Sequence, residues 1–225
     1  MTIFKEKNQL IKFLSNQKQN IIIGFVPTMG SLHQGHLSLI KESQKKCDLT
    51  VCSIYVNPTQ FNDKTDFKNY PKDLNKDLKL LENVKCDVVY TPKNNDLYNK
   101  NEVAKKYDFK SLGNDLEGKY RPGHFNGVAT IVEKLLNIIN PKYAFFGQKD
   151  LQQLSIIKQL VNDKNINTEI IGCKTIREKN GIAKSSRNKL LSKSDFEIST
   201  SIYKQLLFCK RNFEKIPLKE IRSHV

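Results

Sequence analysis

The chain has 225 residues, 38% hydrophobic and 27% charged, with a formal net charge of +15. That size fits one large globular domain, or one domain with a smaller partner, and no apolar run approaches the ~20 residues of a membrane-spanning helix. Of the 38 basic residues only five are Arg and 33 are Lys, interleaved with Asp and Glu in no run of five or more. This reads as a solvated lysine-rich surface rather than a nucleic-acid interface. An RNA-binding protein drawing on the net charge is the alternative from a different class. The first residues lack the apolar stretch of a secretory signal. Five cysteines, at 47, 52, 86, 173 and 209, make no C-x-x-C or C/H ligand cluster. They fit reduced thiols packed as small apolar groups in a cytoplasmic protein.

In chain order, Phe4, Leu10, Ile11 and Leu14 recur at helical spacing and predict a first helix over 4–19. Ile21-Ile22-Ile23-Gly24-Phe25 predicts a buried strand over about 21–26, followed by a helix over about 34–47. Leu49 to Val56 predicts a second strand, ended by Asn57-Pro58. An amphipathic helix over 72–83 carries Leu74, Leu78 and Leu81 on one face, and Asp87 to Tyr90 predicts a third strand. Residues 93–120 are polar and irregular, a candidate long loop or flap. A helix over 126–140 ends before Pro141, Tyr143 to Gly147 predicts a fourth strand, Leu151 to Val161 a helix, and Thr168 to Gly172 a fifth strand. Strands alternating with helices predict an α/β fold, a doubly wound parallel sheet that binds ligands beyond the carboxyl ends of its strands.

The residues suited to chemistry fall at those ends. His33 and His36, two of only four histidines, lie where the first strand hands over to a helix N-terminus. Free backbone N–H groups and the helix dipole there favour a bound anion, and the imidazoles can stabilise charge in phosphoryl or adenylyl transfer. Gly35 allows close backbone approach. Lys149 follows the fourth strand and can reach phosphate as a point charge. Ser185, Ser186 and Arg187 form a hydroxyl-rich basic loop suited to a triphosphate or to an ordinary helix cap. No G-x-x-x-x-G-K-[ST] loop occurs, and no G-x-G-x-x-G follows a strand, so any phosphate site is built differently.

The His33-Gln34-Gly35-His36 turn with the later Lys184-Ser185-Ser186-Arg187 loop resembles the two signatures of nucleotidyl transferases related to class I aminoacyl-tRNA synthetases. Pro27-Thr28-Met29-Gly30, Val56-Asn57-Pro58-Thr59-Gln60-Phe61, Tyr70-Pro71, Arg121-Pro122-Gly123-His124-Phe125, Phe146-Gly147-Gln148-Lys149-Asp150-Leu151-Gln152-Gln153 and Thr175-Ile176-Arg177-Glu178 narrow it. Together they resemble the pantothenate synthetase family, the pantoate–β-alanine ligases, over roughly residues 20–195. Another adenylyl or cytidylyl transferase on the same fold is disfavoured by Gln60 and Gln153, which suit a small polar acid.

The resemblance implies a Rossmann-like sheet domain of the nucleotidyl-transferase type over 1–174 and a small C-terminal lid over 175–225. It implies ATP-dependent condensation of pantoate with β-alanine through a pantoyl adenylate, releasing AMP and pyrophosphate, with Mg²⁺, in a homodimer. Met29, Gly30, His33, His36, Gly147, Lys149, Asp150, Ile176, Lys184, Ser185, Ser186 and Arg187 would bind ATP. His36, His33 and Lys149 would act catalytically, and Gln60 and Gln153 would hold pantoate. Lys184 departs from the family, which often has a hydrophobic residue there. Adjacent acidic residues common near the family's metal site read Lys76-Asp77 here, leaving Asp77 as the candidate Mg²⁺ outer ligand. Members usually carry a longer C-terminal lid than the residues to Val225 supply. The Gly-, Ser- and Lys-rich segment from Ile176 to Arg187 is expected to be a mobile closing loop.

Overall fold

The computed structural model describes all 225 residues, apart from the side chain of Lys64. Its strands are β1 (Thr2–Phe4), β2 (Ile23–Thr28), β3 (Leu49–Ile54), β4 (Val88–Tyr90), β5 (Tyr143–Gly147) and β6 (Glu169–Cys173). They form one sheet in the order β1-β4-β3-β2-β5-β6, parallel at every pairing. The connecting helices are α1 (Lys7–Ser15), α2 (Gln34–Lys46), α3 (Lys64–Asn69), α4 (Leu74–Asn83), three single turns α5 (Asn94–Leu97), α6 (Ser111–Asn114) and α7 (Glu117–Tyr120), then α8 (His124–Ile139) and α9 (Leu151–Asp163).

Side chains alternate across a strand, and this sorts the core into two. Phe25, Val51, Val88, Ala144 and Phe146 point to one face, where they pack with Leu10, the apolar stripe of α8 and Ile156, Ile157 and Leu160 of α9. Val26, Cys52, Val89 and Phe145 point to the other, against Leu37 and Ile40 of α2 and Leu81 of α4. Both faces are therefore covered and the sheet is doubly wound, as the alternation of elements predicts.

Two expectations are revised. Phe4 does not begin a helix. Thr2-Ile3-Phe4 is an edge strand paired in parallel with Val88-Val89-Tyr90, and α1 starts at Lys7. Three residues are too few to display a period of two, so the helical spacing of Phe4 with Leu10 was coincidental. Nor is 93–120 a free flap. The Lys105 N–H donates to Thr130 Oγ1 at 2.9 Å and the Tyr107 N–H to Asn126 Oδ1 at 3.1 Å, both on α8. Gln152 Nε2 donates to the Leu112 and Asp115 carbonyls at 2.8 and 2.7 Å. Side chains of α8 and α9 thus satisfy backbone groups that periodicity leaves unassigned.

Met1–Lys174 and Thr175–Val225 are separate compact units. The second holds α10 (Lys193–Ile198), α11 (Thr200–Asn212) and α12 (Leu218–His224). Its first residues form a short hairpin closed by an antiparallel bridge between Arg177 and Ala183. No helix is long and apolar enough to cross a membrane among the described residues.

Candidate active site

The sheet order reverses between β2 and β5. From β2 the chain moves outward through α2 to β3, whereas β5 lies on the other side of β2. The crevice beyond the carboxyl ends of β2 and β5 is therefore the topological switch point. The turn after β2 and the turn after β5 flank it, and the turn after β3 lies beside them.

The first of these turns is built around a buried carboxylate. Gly30 and Ser31 both take positive φ, +80° and +51°. In this conformation the Ser31 and Leu32 N–H groups point together, and Asp77 of α4 accepts both, Oδ2 from Ser31 at 2.8 Å and Oδ1 from Leu32 at 2.7 Å. The Gly30 N–H donates to Thr28 Oγ1 at 3.3 Å. Asp77 is 2% exposed.

His33 then caps α2. Its Nδ1 accepts the Gly35 N–H at 3.1 Å, and His36 Nδ1 accepts the His33 N–H at 3.3 Å, a reciprocal capping box made by two imidazoles. The amides of Gly30, Ser31, Leu32, His33 and Gly35 are all taken by protein acceptors. The expectation of free backbone N–H groups for an anion is thus revised for these five residues. A neutral imidazole whose Nδ1 accepts carries its proton on Nε2. Both rings therefore carry their proton on Nε2, and their centroids are 4.1 Å apart. His36 is half-buried but closely surrounded. Burial first, then His33, then the Lys149 ammonium push its pKa down to about 3, so the ring stays neutral at physiological pH.

Lys149 comes from the turn after β5 and sits close enough to act on His36 electrostatically. Its Nζ pairs with Asp150 Oδ1 at 2.6 Å, both side chains substantially exposed. Such a pair is weak in water and is readily exchanged for a ligand phosphate. Gln153, one turn along α9, is half-buried, and its amide has no hydrogen-bond partner among the described residues.

Beyond β3, Pro58–Gln60 makes one 3-10 turn. Asn57, 1% exposed, is saturated: its Nδ2 donates to Gln60 Oε1 at 3.2 Å and to the Gly127 carbonyl at 3.1 Å, and its Oδ1 accepts from Tyr98 at 2.9 Å and Thr59 at 3.1 Å. This fixes the Gln60 amide with Oε1 inward. Gln60 Nε2 faces Met29 Sδ at 2.9 Å, a weak acceptor that a ligand oxygen would outcompete. His124 Nδ1 lies 2.7 Å from the Gln60 carbonyl oxygen. A Cβ on Gly127 would stand 2.3 Å from the Thr59 carbonyl oxygen, so α8 can approach this turn only with glycine there. Sequence reasoning missed Tyr98 and Gly127. An Asn before Pro at a strand end was the one available hint of Asn57's bracing role.

Each oxygen of Asp77, the candidate outer ligand to Mg²⁺, is engaged by a backbone amide, and no group of three or more His, Cys, Asp or Glu that could hold an ion occurs among the described residues.

In the second unit, the Glu178 N–H donates to the Ile182 carbonyl at 2.7 Å and the Lys184 N–H to the Ile176 carbonyl at 2.9 Å. Lys184 Nζ pairs with Glu178 Oε2 at 2.8 Å. Ser185 caps the following turn, accepting the Arg187 N–H at 3.3 Å, and Ser186 is buried. Within the segment from Ile176 to Arg187 expected to close over the site, residues 176–184 thus form an internally bonded hairpin.

A family model described as Pantoate-beta-alanine ligase matches residues 2–225. The pantothenate synthetase of Flavobacterium psychrophilum is 46% identical over 230 residues, covering 100% of this chain and 80% of the relative. The crystal structure of pantothenate synthetase from Thermus thermophilus superposes with a TM-score of 0.88 at 35% identity, covering 94% of this chain and 75% of that one. The pantoate-beta-alanine ligase of Francisella tularensis, complexed with beta-gamma ATP and beta-alanine, gives 0.87 at 42% identity, covering 99% and 85%.

Proposed function

We propose, from the premise that this chain belongs to the pantoate-beta-alanine ligase family, that it makes pantothenate from pantoate and β-alanine at the expense of ATP, through a pantoyl adenylate. The observation that carries this reading is the neutral His36 ring, its Nδ1 fixed by the helix cap, close enough to the Lys149 cation to feel it at the switch point of the sheet. That arrangement supplies positive charge and hydrogen bonds, with no activated nucleophile, and suits transfer of an adenylyl group between two bound substrates.

In the first step a pantoate carboxylate oxygen attacks the α-phosphorus of ATP. The bond from that phosphorus to the bridging oxygen breaks, and pyrophosphate leaves with the electron pair. His36 and His33 donate to the phosphate oxygens as charge shifts, and Lys149 exchanges Asp150 for the departing phosphates. Met29, Gly30, Gly147 and Asp150 line the nucleotide on this reading. In the second step the β-alanine amine attacks the activated carbonyl, loses a proton, and AMP leaves. Gln60 and Gln153 hold pantoate by neutral amides. A bidentate Arg would stabilise the carboxylate before reaction and blunt it as a nucleophile.

The second unit contributes Ile176, Lys184, Ser185, Ser186 and Arg187 as nucleotide ligands, with Lys184 leaving Glu178 for a phosphate. Mg²⁺, on this reading, arrives on the triphosphate as part of the substrate. The test is AMP release from purified protein. Release that requires both pantoate and β-alanine supports the reading; release without β-alanine, or none with all three substrates, overturns it.

A further inference from the structure

Two consecutive amides that converge as those of Ser31 and Leu32 do form a nest for an anion. Here the anion is part of the fold. Asp77 reaches across 46 residues of sequence to seat one oxygen on each amide, at 2.8 and 2.7 Å, and is almost fully buried in doing so. The turn closes tightly on it: a Cβ on Gly30 would lie 2.9 Å from Asp77 Oδ2. Ser31, a non-glycine residue at φ +51°, takes a conformation that needs such an anchor. One residue beyond Leu32, His33 begins the reciprocal cap that orients both rings.

We propose that Asp77 is a positioning residue for the His33–His36 pair, its carboxylate acting as a built-in anion that holds the Gly30–Leu32 turn. Only a carboxylate accepts from both amides. An amide side chain satisfies one and turns its own NH₂ against the other. A negative charge there also suits the N-terminal end of α2. It repels a phosphate from the nest, so the phosphate meets the imidazole N–H groups instead of the backbone. Asp77 touches no substrate and acts through the rings.

The kinetic part of the test rests on the functional reading above; the spectroscopic part does not. Asp77→Asn, nearly isosteric, and Asp77→Ala are made and their folding checked by circular dichroism and thermal melting. A displaced pair of donors lowers kcat by roughly 10- to 100-fold, with KM for ATP and pantoate within about threefold of the parent. Formate, a carboxylate small enough for the vacated nest, restores activity to Asp77→Ala but not to His36→Ala. In ligand-free protein, ¹⁵N NMR of the imidazoles shows the Nε2–H tautomer for both rings. In Asp77→Ala the signals become a tautomer mixture, which formate reverses. Parent-like kcat and tautomers in a folded variant overturn the proposal. So does a loss of activity that added Mg²⁺ repairs and formate does not, which would make Asp77 a metal ligand. If AMP release fails even in the parent while the tautomer mixture appears, the positioning role stands and the functional reading falls.

Discussion

His33 and His36 cap the same helix end for each other: His33 Nδ1 takes the Gly35 N–H, and His36 Nδ1 takes the His33 N–H. Each ring therefore commits its Nδ1 to the fold, while on the functional reading above the His36 Nε2–H serves the substrate. A substitution can separate the two duties, because Asn places its amide near the Nδ1 position and Gln near Nε2.

His36→Asn is expected to keep the cap and lose the distal donor. Its melting temperature should stay within a few degrees of the parent, while kcat falls by roughly 10²-fold or more, as when one preorganised donor to a developing oxyanion is removed. His36→Ala should lose both, with about 1 kcal/mol of stability gone along with the cap. Steady-state kinetics and thermal melts on the two variants check this. Activity near normal in His36→Asn would take the ring out of the chemistry.

The depressed pKa of His36 has a stability consequence of definite sign. The folded ring protonates near pH 3 and the unfolded one near 6.5, so between these values the unfolded chain binds the extra proton. The contribution is complete above pH 6.5 and is lost progressively as pH falls toward 3. Melting temperature measured from about pH 7.5 to about pH 4.5 should therefore drop more steeply in the parent than in His36→Asn. Equal slopes would mean the ring is not held neutral.

Lys149→Ala should slow adenylate formation by about 10²- to 10³-fold and the amide-forming step far less, because the cation matters while pyrophosphate departs. Single-turnover measurement of the two half-reactions distinguishes them. Equal slowing of both counts against a phosphate-bound Lys149.

Gln60→Leu removes the donor that Asn57 has oriented and leaves a substrate oxygen unpaired, costing about 1–3 kcal/mol, a roughly 5- to 150-fold rise in the pantoate KM with little change for ATP. Gly127→Ala should produce a milder form of the same defect from a distance. The new Cβ meets the Thr59 carbonyl oxygen at 2.3 Å and Gln60 Cα at 2.6 Å, so the turn carrying Gln60 must shift. About 1–3 kcal/mol of stability should be lost with it. A Gly127→Ala protein with parental stability and parental pantoate KM would show that the turn gives way freely.

Within the hairpin of the second unit, the amides of Glu178, Gly181 and Lys184 donate to the Ile182, Glu178 and Ile176 carbonyls. Hydrogen exchange without nucleotide should find these three protected above the neighbouring exposed amides of Lys179 and Asn180. An ATP analogue should then add protection at Ser185 to Arg187 rather than at the hairpin. Rapid exchange at all of them, slowed only by nucleotide, would restore the picture of a mobile loop.

Five of the six strands, the parallel doubly wound sheet and the family were legible in the sequence itself. Hydrophobic period and Pro/Gly punctuation are local properties, and motifs such as His33 to His36 and Phe146 to Asp150 are contiguous. What local pattern could not show is how residues far apart in sequence divide the hydrogen bonds of one small volume. Asp77 entered only through the family resemblance, as a candidate outer ligand to Mg²⁺; that it holds the Ser31 and Leu32 amides could not be read locally, because they lie 46 and 45 positions away. The amides of Gly30 to His33 and of Gly35 read as free because nothing local announces their acceptors. The fixed orientation of Gln60 depends on Asn57, which depends in turn on Tyr98 and on the carbonyl of Gly127. Thr2 to Phe4 became a strand only because β4 offered an edge. Periodicity and motif specify which elements form and which chemistry gathers at one end of the sheet. Only the tertiary structure decides which polar groups are spent on holding the site together and which remain for the substrate, because a buried donor or acceptor must be satisfied by whatever the fold brings within reach.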